Sequence, residues 1–337
     1  MSLLRSLATF RPDNFTLAIV ATVAIASLFP ATGQAGEVVH VATILAIALL
    51  FFLHGARLSR EAALAGALHW RLHLTVLAAT FVLFPLLGLV LRQALGWVLP
   101  ESLLVGVLFL CLLPSTVQSS IAFTSIAHGN VAAAVCSASL SNFVGIFLTP
   151  ALVALLMNLK GGVSLDAVGA IVLQLLLPFL AGHFLRPWIG DFVSRHRAAL
   201  GFVDRGSILL VVYLAFSEAV ANGLWRVLGL ADLVKLLIVC ALLLAIVLGA
   251  TVIVARRLGF NRADEIVIVF CGSKKSLASG VPMAGVLFPL AQVGMVVLPL
   301  MLFHQIQLMV CAALARRYAN AGPAALTDAE AQAAGAD

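Results

Sequence analysis

Apolar residues run along this chain in stretches close to the ~20 residues that a membrane-crossing helix requires, with short polar stretches between them. The runs fall at 15–29, 37–55, 72–94, 102–127, 130–157, 167–189, 205–224, 231–255, 264–287 and 291–315. Two of them, 102–127 and 264–287, are interrupted by small and polar residues. The pattern predicts an all-α membrane protein of ten transmembrane helices. The first run follows Arg5 and Arg11 and precedes Ala-Thr-Gly-Gln-Ala at 31–35, a layout that also fits a signal peptide. A symmetric count takes it as the first span instead.

Composition agrees with the pattern. Of 337 residues, 63% are hydrophobic and 10% charged, against about 25% charged and 45–50% apolar in soluble domains. The net charge of +6 is explained by arginine in the loops, with no aromatic-interleaved basic patch for nucleic acid. With the N-terminus inside, 14 of the 20 Lys and Arg residues fall on the cytoplasmic side and 4 on the other. That bias predicts a multi-pass protein of the cytoplasmic (inner) membrane with both termini cytoplasmic. The five cysteines all fall in apolar runs without metal-ligand spacing, as small buried hydrophobes would.

The segments 1–14, 15–157, 158–166, 167–317 and 318–337 read as a cytoplasmic lead, five helices, a linker, five helices and a disordered tail. Five is odd, so the halves must oppose one another in the membrane, as inverted repeats do. Pro30 and Pro178 lie 148 residues apart, and Pro150 and Pro299 lie 149 apart, each pair in or beside matching helices.

The remaining two lysines, Lys274 and Lys275, sit roughly 15 Å into the ninth span, near the bilayer midplane. The ninth span breaks at Cys271–Gly280, and the fourth at Pro114–Ser120. Breaks at matching places in two halves mark a binding site, because they free backbone groups and aim half-helix ends at a ligand. Candidate substrate or ion ligands are therefore Thr116, Gln118, Ser119 and Ser120 on the fourth span and Ser273, Lys274, Lys275 and Ser276 on the ninth. Ser139 and Asn142 on the fifth, Glu218 on the seventh and Gln305 on the tenth complete the set. Ordinary proline kinks with back-bonded serines, and a structural ion pair using Glu218, are the plainer readings. Glu218 is the one clearly intramembrane carboxylate. His304 and Gln307 accompany Gln305 on the tenth span, while His54, His69, His73 and His128 fall near span ends and read as interfacial. No catalytic, metal-site or phosphate-loop motif is present, so an enzyme or ATP-driven pump is not expected.

Phe270-Cys271-Gly272-Ser273-Lys274-Lys275-Ser276-Leu277-Ala278-Ser279-Gly280-Val281-Pro282-Met283-Ala284 resembles the signature of the SBF-like branch of the bile acid:sodium symporter family. Leu113–Ser120, His128-Gly129-Asn130 and Phe303-His304-Gln305-Ile306-Gln307 share the resemblance, which covers about residues 10–318. It implies two inverted five-helix repeats, with a panel of helices 1, 2, 6 and 7. A core of helices 3–5 and 8–10 packs on that panel, and helices 4 and 9 cross where they unwind. The better-known branch carries Glu-x-Gly-x-Gln-Asn on the ninth helix, whose Glu and Gln bind sodium. Here Phe270 stands at the Glu position, Lys274 at the Gln and Lys275 at the Asn. The fourth-helix Ser-Asn pair falls near Ser119-Ser120, and the fifth-helix sodium ligands around Ser139 and Asn142.

A ring thus replaces a carboxylate, and an ammonium sits where a cation would be repelled. The expectation is a secondary, symporter-like transporter of a small organic anion working by alternating access. It would be sodium-independent or proton-coupled, with intramembrane lysines in place of the sodium ligands. A non-transporting membrane sensor using the same cavity, and a sodium-coupled symporter with displaced sites, are the alternatives. No other cofactor is expected.

Overall fold

The computed structural model describes residues 14–57, 69–157 and 172–321. Most of the N-terminal segment, the 158–166 linker and the tail beyond 321 lie outside the described residues. Helix is the regular structure throughout these residues, with no strand among them. The elements are α1 (Asn14–Leu28), α2 (Gly33–Arg57), α3 (Trp70–Ala94), α4 (Glu101–Leu112), α5 (Gln118–Ile126) and α6 (Val131–Leu156). They continue with α7 (Val172–Arg195), α8 (Arg197–Ala221), α9 (Leu230–Arg257), α10 (Arg262–Gly272), α11 (Leu277–Leu287) and α12 (Leu290–Asn320).

Eight segments among the described residues are long and apolar enough to cross a membrane: α2, α3, α6, α7, α8, α9, α12, and α10 with α11 taken across their break. α1 and α4 are apolar but shorter, 15 and 12 residues. Length alone therefore supports eight spans, and the other two of the sequence count rest on α1 and on α4 joined to α5. Large apolar side chains such as Leu45, Leu173, Phe184 and Ile238 are exposed on the outer faces, as a lipid solvent allows.

Local chemistry sets the helix ends. Asn130, Asn261 and Ser276 cap α6, α10 and α11, each side chain accepting the N–H of a residue three positions on. α4 stops because Pro114 has no N–H and forces the residue before it out of helical geometry. Leu113 is accordingly extended, at φ −79° and ψ 156°.

Packing divides the helices into two groups. α2 packs against α7, and α8 against α1 and α2; α3 to α6 and α9 to α12 pack on one another, and α8 joins the groups through α11 and α12. The α2–α7 crossing depends on two glycines. A Cβ on Gly55 would stand 2.0 Å from the Phe179 carbonyl oxygen, and one on Gly182 would stand 2.0 Å from that of Phe52. Burial ranks the helices too: α10 and α11 are almost wholly buried, whereas most of α7 is not. The broken pair is the centre of the molecule.

Candidate functional site

A broken helix exposes main-chain carbonyls, each of which must find a donor where no water reaches. At the end of α4 five consecutive carbonyls do so. Cys111 and Leu113 accept from the Lys275 ammonium at 2.9 and 2.7 Å, and Leu112 accepts from Thr149 Oγ1 at 2.8 Å. Pro114 accepts from the Ser276 N–H at 2.9 Å, and Ser115 from Asn142 Nδ2 at 2.7 Å. The end of α10 is served in return by the α4–α5 segment. Ser115 Oγ donates to the Cys271 carbonyl at 2.5 Å and Ser120 Oγ to that of Phe270 at 3.0 Å. Each break supplies donors to the other, which ties the two together, and Thr149 and Asn142 of α6 supply the rest. Gly145 on α6 lets the first break seat, since a Cβ there would stand 2.7 Å from the Pro114 ring.

Lys275 is fully buried. Its Nζ donates to Cys111 and Leu113 and, at 2.8 Å, to the Thr80 carbonyl. Thr80 lies in a π-helical turn of α3, Ala79–Leu83; such a turn shifts the i→i+4 ladder and turns a carbonyl toward other donors. The Phe84 ring lies 4.1 Å from the ammonium. Gln307 holds the peptide behind it: the Lys275 N–H donates to Oε1, and Nε2 donates to the Lys275 carbonyl, both at 2.9 Å. The same Nε2 lies 2.8 Å from His304 Nδ1.

Lys274 is as deeply buried and differently surrounded. Its Nζ has no hydrogen-bond partner among the described residues. It faces the ring of Phe123 at 4.3 Å and that of Phe270 at 5.6 Å. Both rings belong to an apolar cluster with Ala127, Ile266, Val269, Cys311 and Ala315.

Of the other candidates, the structure gathers Thr116, Ser119, Ser120, Ser273, Ser276 and Asn142 around the breaks. Asn142 joins both, donating to the Ser115 carbonyl while its Oδ1 accepts from Ser279 Oγ at 2.9 Å. Ser119 Oγ donates to Thr116 Oγ1 at 2.8 Å, which lies 2.9 Å from Ser120 Oγ. Ser273 Oγ is back-bonded to the Val269 carbonyl at 2.6 Å, the one point at which the kinked-helix reading describes the break.

Five residues sit otherwise than expected. Gln118 is exposed at the start of α5. Ser139 is half-buried on α6 and makes none of the bonds that join the breaks. Glu218 does not reach the lysines: it lies in the last turn of α8 and accepts from Asn222 Nδ2 at 3.1 Å. No carboxylate pairs with either ammonium, so the structural ion pair is absent among the described residues. Gln305 reaches α1, exchanging hydrogen bonds of 2.9 and 2.7 Å with Thr16. His73, expected at the interface, is buried one turn into α3, 2.7 Å from Ser137 Oγ. Gln307, Ser115, Ser279 and the Thr80 carbonyl were not among the candidates, although Gln307 stood out as a polar residue of the last span. A groove of about 390 Å³ lined by Thr22, Ile25, Leu209 and Tyr213 lies between α1 and α8, away from the lysines.

The model of the SBF-like CPA transporter family matches residues 13–320, nearly the whole chain. The chain belongs to that family. It is 61% identical over 313 residues to the uncharacterized protein PA2026 of Pseudomonas aeruginosa, covering 92% of this chain and 94% of that one. It is 60% identical over 307 residues to the putative symporter YfeH of Escherichia coli, covering 91% and 92%. The rat protein named sodium/bile acid cotransporter 7 is 27% identical over 314 residues, covering 91% and 92%. Family membership and the apolar helices make this chain a multi-pass membrane transporter of the bile acid:sodium symporter type.

Proposed function

We propose that this chain is a secondary active transporter of a small organic anion in the inner membrane, sodium-independent and working by alternating access. In this reading ten spans form two inverted five-helix repeats, 15–157 and 167–317, with both ends cytoplasmic. The group of α1, α2, α7 and α8 is the panel, and the group carrying the two breaks is the core that rocks against it. The observation that carries the proposal is the Lys274 ammonium. It is fully buried beside the two hydrogen-bonded breaks and has no hydrogen-bonding partner among the described residues. A buried charge without a counter-charge costs several kcal/mol, a cost that an anion arriving between core and panel, or loss of the proton, would relieve. Sodium independence is supported by Lys275, whose ammonium fills the carbonyl cluster at the end of α4.

The test is uptake into proteoliposomes of a labelled bile acid and a panel of small carboxylates, with choline replacing sodium. Uptake of at least one anion is expected to persist in choline and to be abolished in Lys274→Met. Unchanged uptake in that variant would remove the lysine from the mechanism. Sodium-dependent uptake would restore the displaced-site alternative, and anion binding without flux would favour a ligand sensor.

A further inference from the structure

The surroundings of Lys275 are those of an ion. Three main-chain carbonyl oxygens, those of Thr80, Cys111 and Leu113, converge on one point at 2.7–2.9 Å. Two come from the C-terminal end of α4, where the helix dipole adds negative potential, and the third from the π turn of α3. The Phe84 ring covers a further side with its electron-rich face. Every ligand is neutral, so the set suits one positive charge and leaves the second charge of a divalent ion uncompensated. The distances suit an ion of ammonium size without rearrangement.

We propose that Lys275 is a tethered cation occupying a monovalent-cation site, and that removing its side chain opens that site to a free cation. The inference deepens the sodium-independent reading above by naming which lysine stands in for the ion and which groups hold it. Lys275 then acts as a positioning residue: it ties the end of α4 to α3 and to the α10–α11 break, and leaves Lys274 to meet the anion.

The experiment is thermal unfolding of the full chain in detergent at constant ionic strength, with chloride salts of choline, sodium, potassium, ammonium and methylammonium. The wild type should melt at the same temperature in all of them. Lys275→Ala should melt lower in choline and recover most of the loss, saturably, in ammonium or methylammonium, with potassium ahead of sodium. Lys275→Met, whose side chain fills the space without a charge, should stay low in every salt, and Lys274→Ala should show no cation preference. If Lys275→Ala is too unstable to purify in choline, its yield from ammonium-containing buffer becomes the readout. Recovery there supports the site; failure in every salt, with Lys274→Ala purifying normally, overturns it. An equal melting temperature for Lys275→Ala in all salts, or a cation-specific rise in the wild type, also overturns it. Since no flux is measured, a failed transport assay leaves this result standing.

Discussion

Around Lys275, three carbonyl oxygens and two aromatic faces, Phe84 and Phe81, receive the ammonium; around Lys274, one peptide away, two aromatic faces do so with no hydrogen-bond acceptor among the described residues. Hydrogen bonds to a charged group contribute about 1.5–3 kcal/mol each. Three of them approach the several kcal/mol that desolvating an ammonium costs. Cation–π contacts are common to both lysines, so the three hydrogen bonds are what Lys274 lacks. Equal burial thus conceals different situations: one charge is hydrogen-bonded into the fold, and the other has no such bond among the described residues.

The sharpest way to break that comparison is to replace each lysine by methionine, which keeps the length and removes the charge. Lys275→Met strands three buried carbonyls and should cost on the order of 3–5 kcal/mol of stability. Lys274→Met removes an unpaired charge and adds apolar contact with Phe123 and Phe270. Its stability should be unchanged or raised, by up to about 4 kcal/mol. Paired thermal melts in one detergent decide the matter, and equal losses in the two variants would end the distinction. Next in size is Asn142→Ala, which leaves the Ser115 carbonyl without its donor and Ser279 Oγ without its acceptor. A loss of roughly 2–3 kcal/mol is expected, with Asn142→Asp no better, because a carboxylate cannot donate to the carbonyl.

What could be read from the sequence divides along the same line. The broken helices announce themselves through Pro114, the serines and the paired lysines, and Asn142 stands out as an amide in an apolar run. The lysines' different fates do not show, because what separates them is main chain. A carbonyl has no letter in the sequence, and nothing in Ala79–Leu83 marks a π turn that presents Thr80. Residue type and depth alone make Glu218 the natural counter-charge. The fold supplies dipoles at the end of α4 instead, and leaves that carboxylate beside Asn222. Gln307 and Gln305 look alike on paper, two positions apart on α12, yet one holds the Lys275 peptide and the other reaches α1.

That last contrast carries the smallest predicted effect. Thr16 and Gln305 join α1 to α12, across the boundary between the two helix groups. Thr16→Val keeps the shape of the side chain and removes its hydrogen bonding, so about 0.5–1.5 kcal/mol should be lost. The two breaks are tied to one another by their own bonds and to α3, α6 and α12, none of which involves α1. Hydrogen exchange should therefore rise in the first turns of α1 while the ends of α4 and α10 stay as protected as in the wild type. Exchange rising equally at all three would mean that the lysine pockets depend on the boundary between the groups, and the core could not move against the panel with those pockets intact.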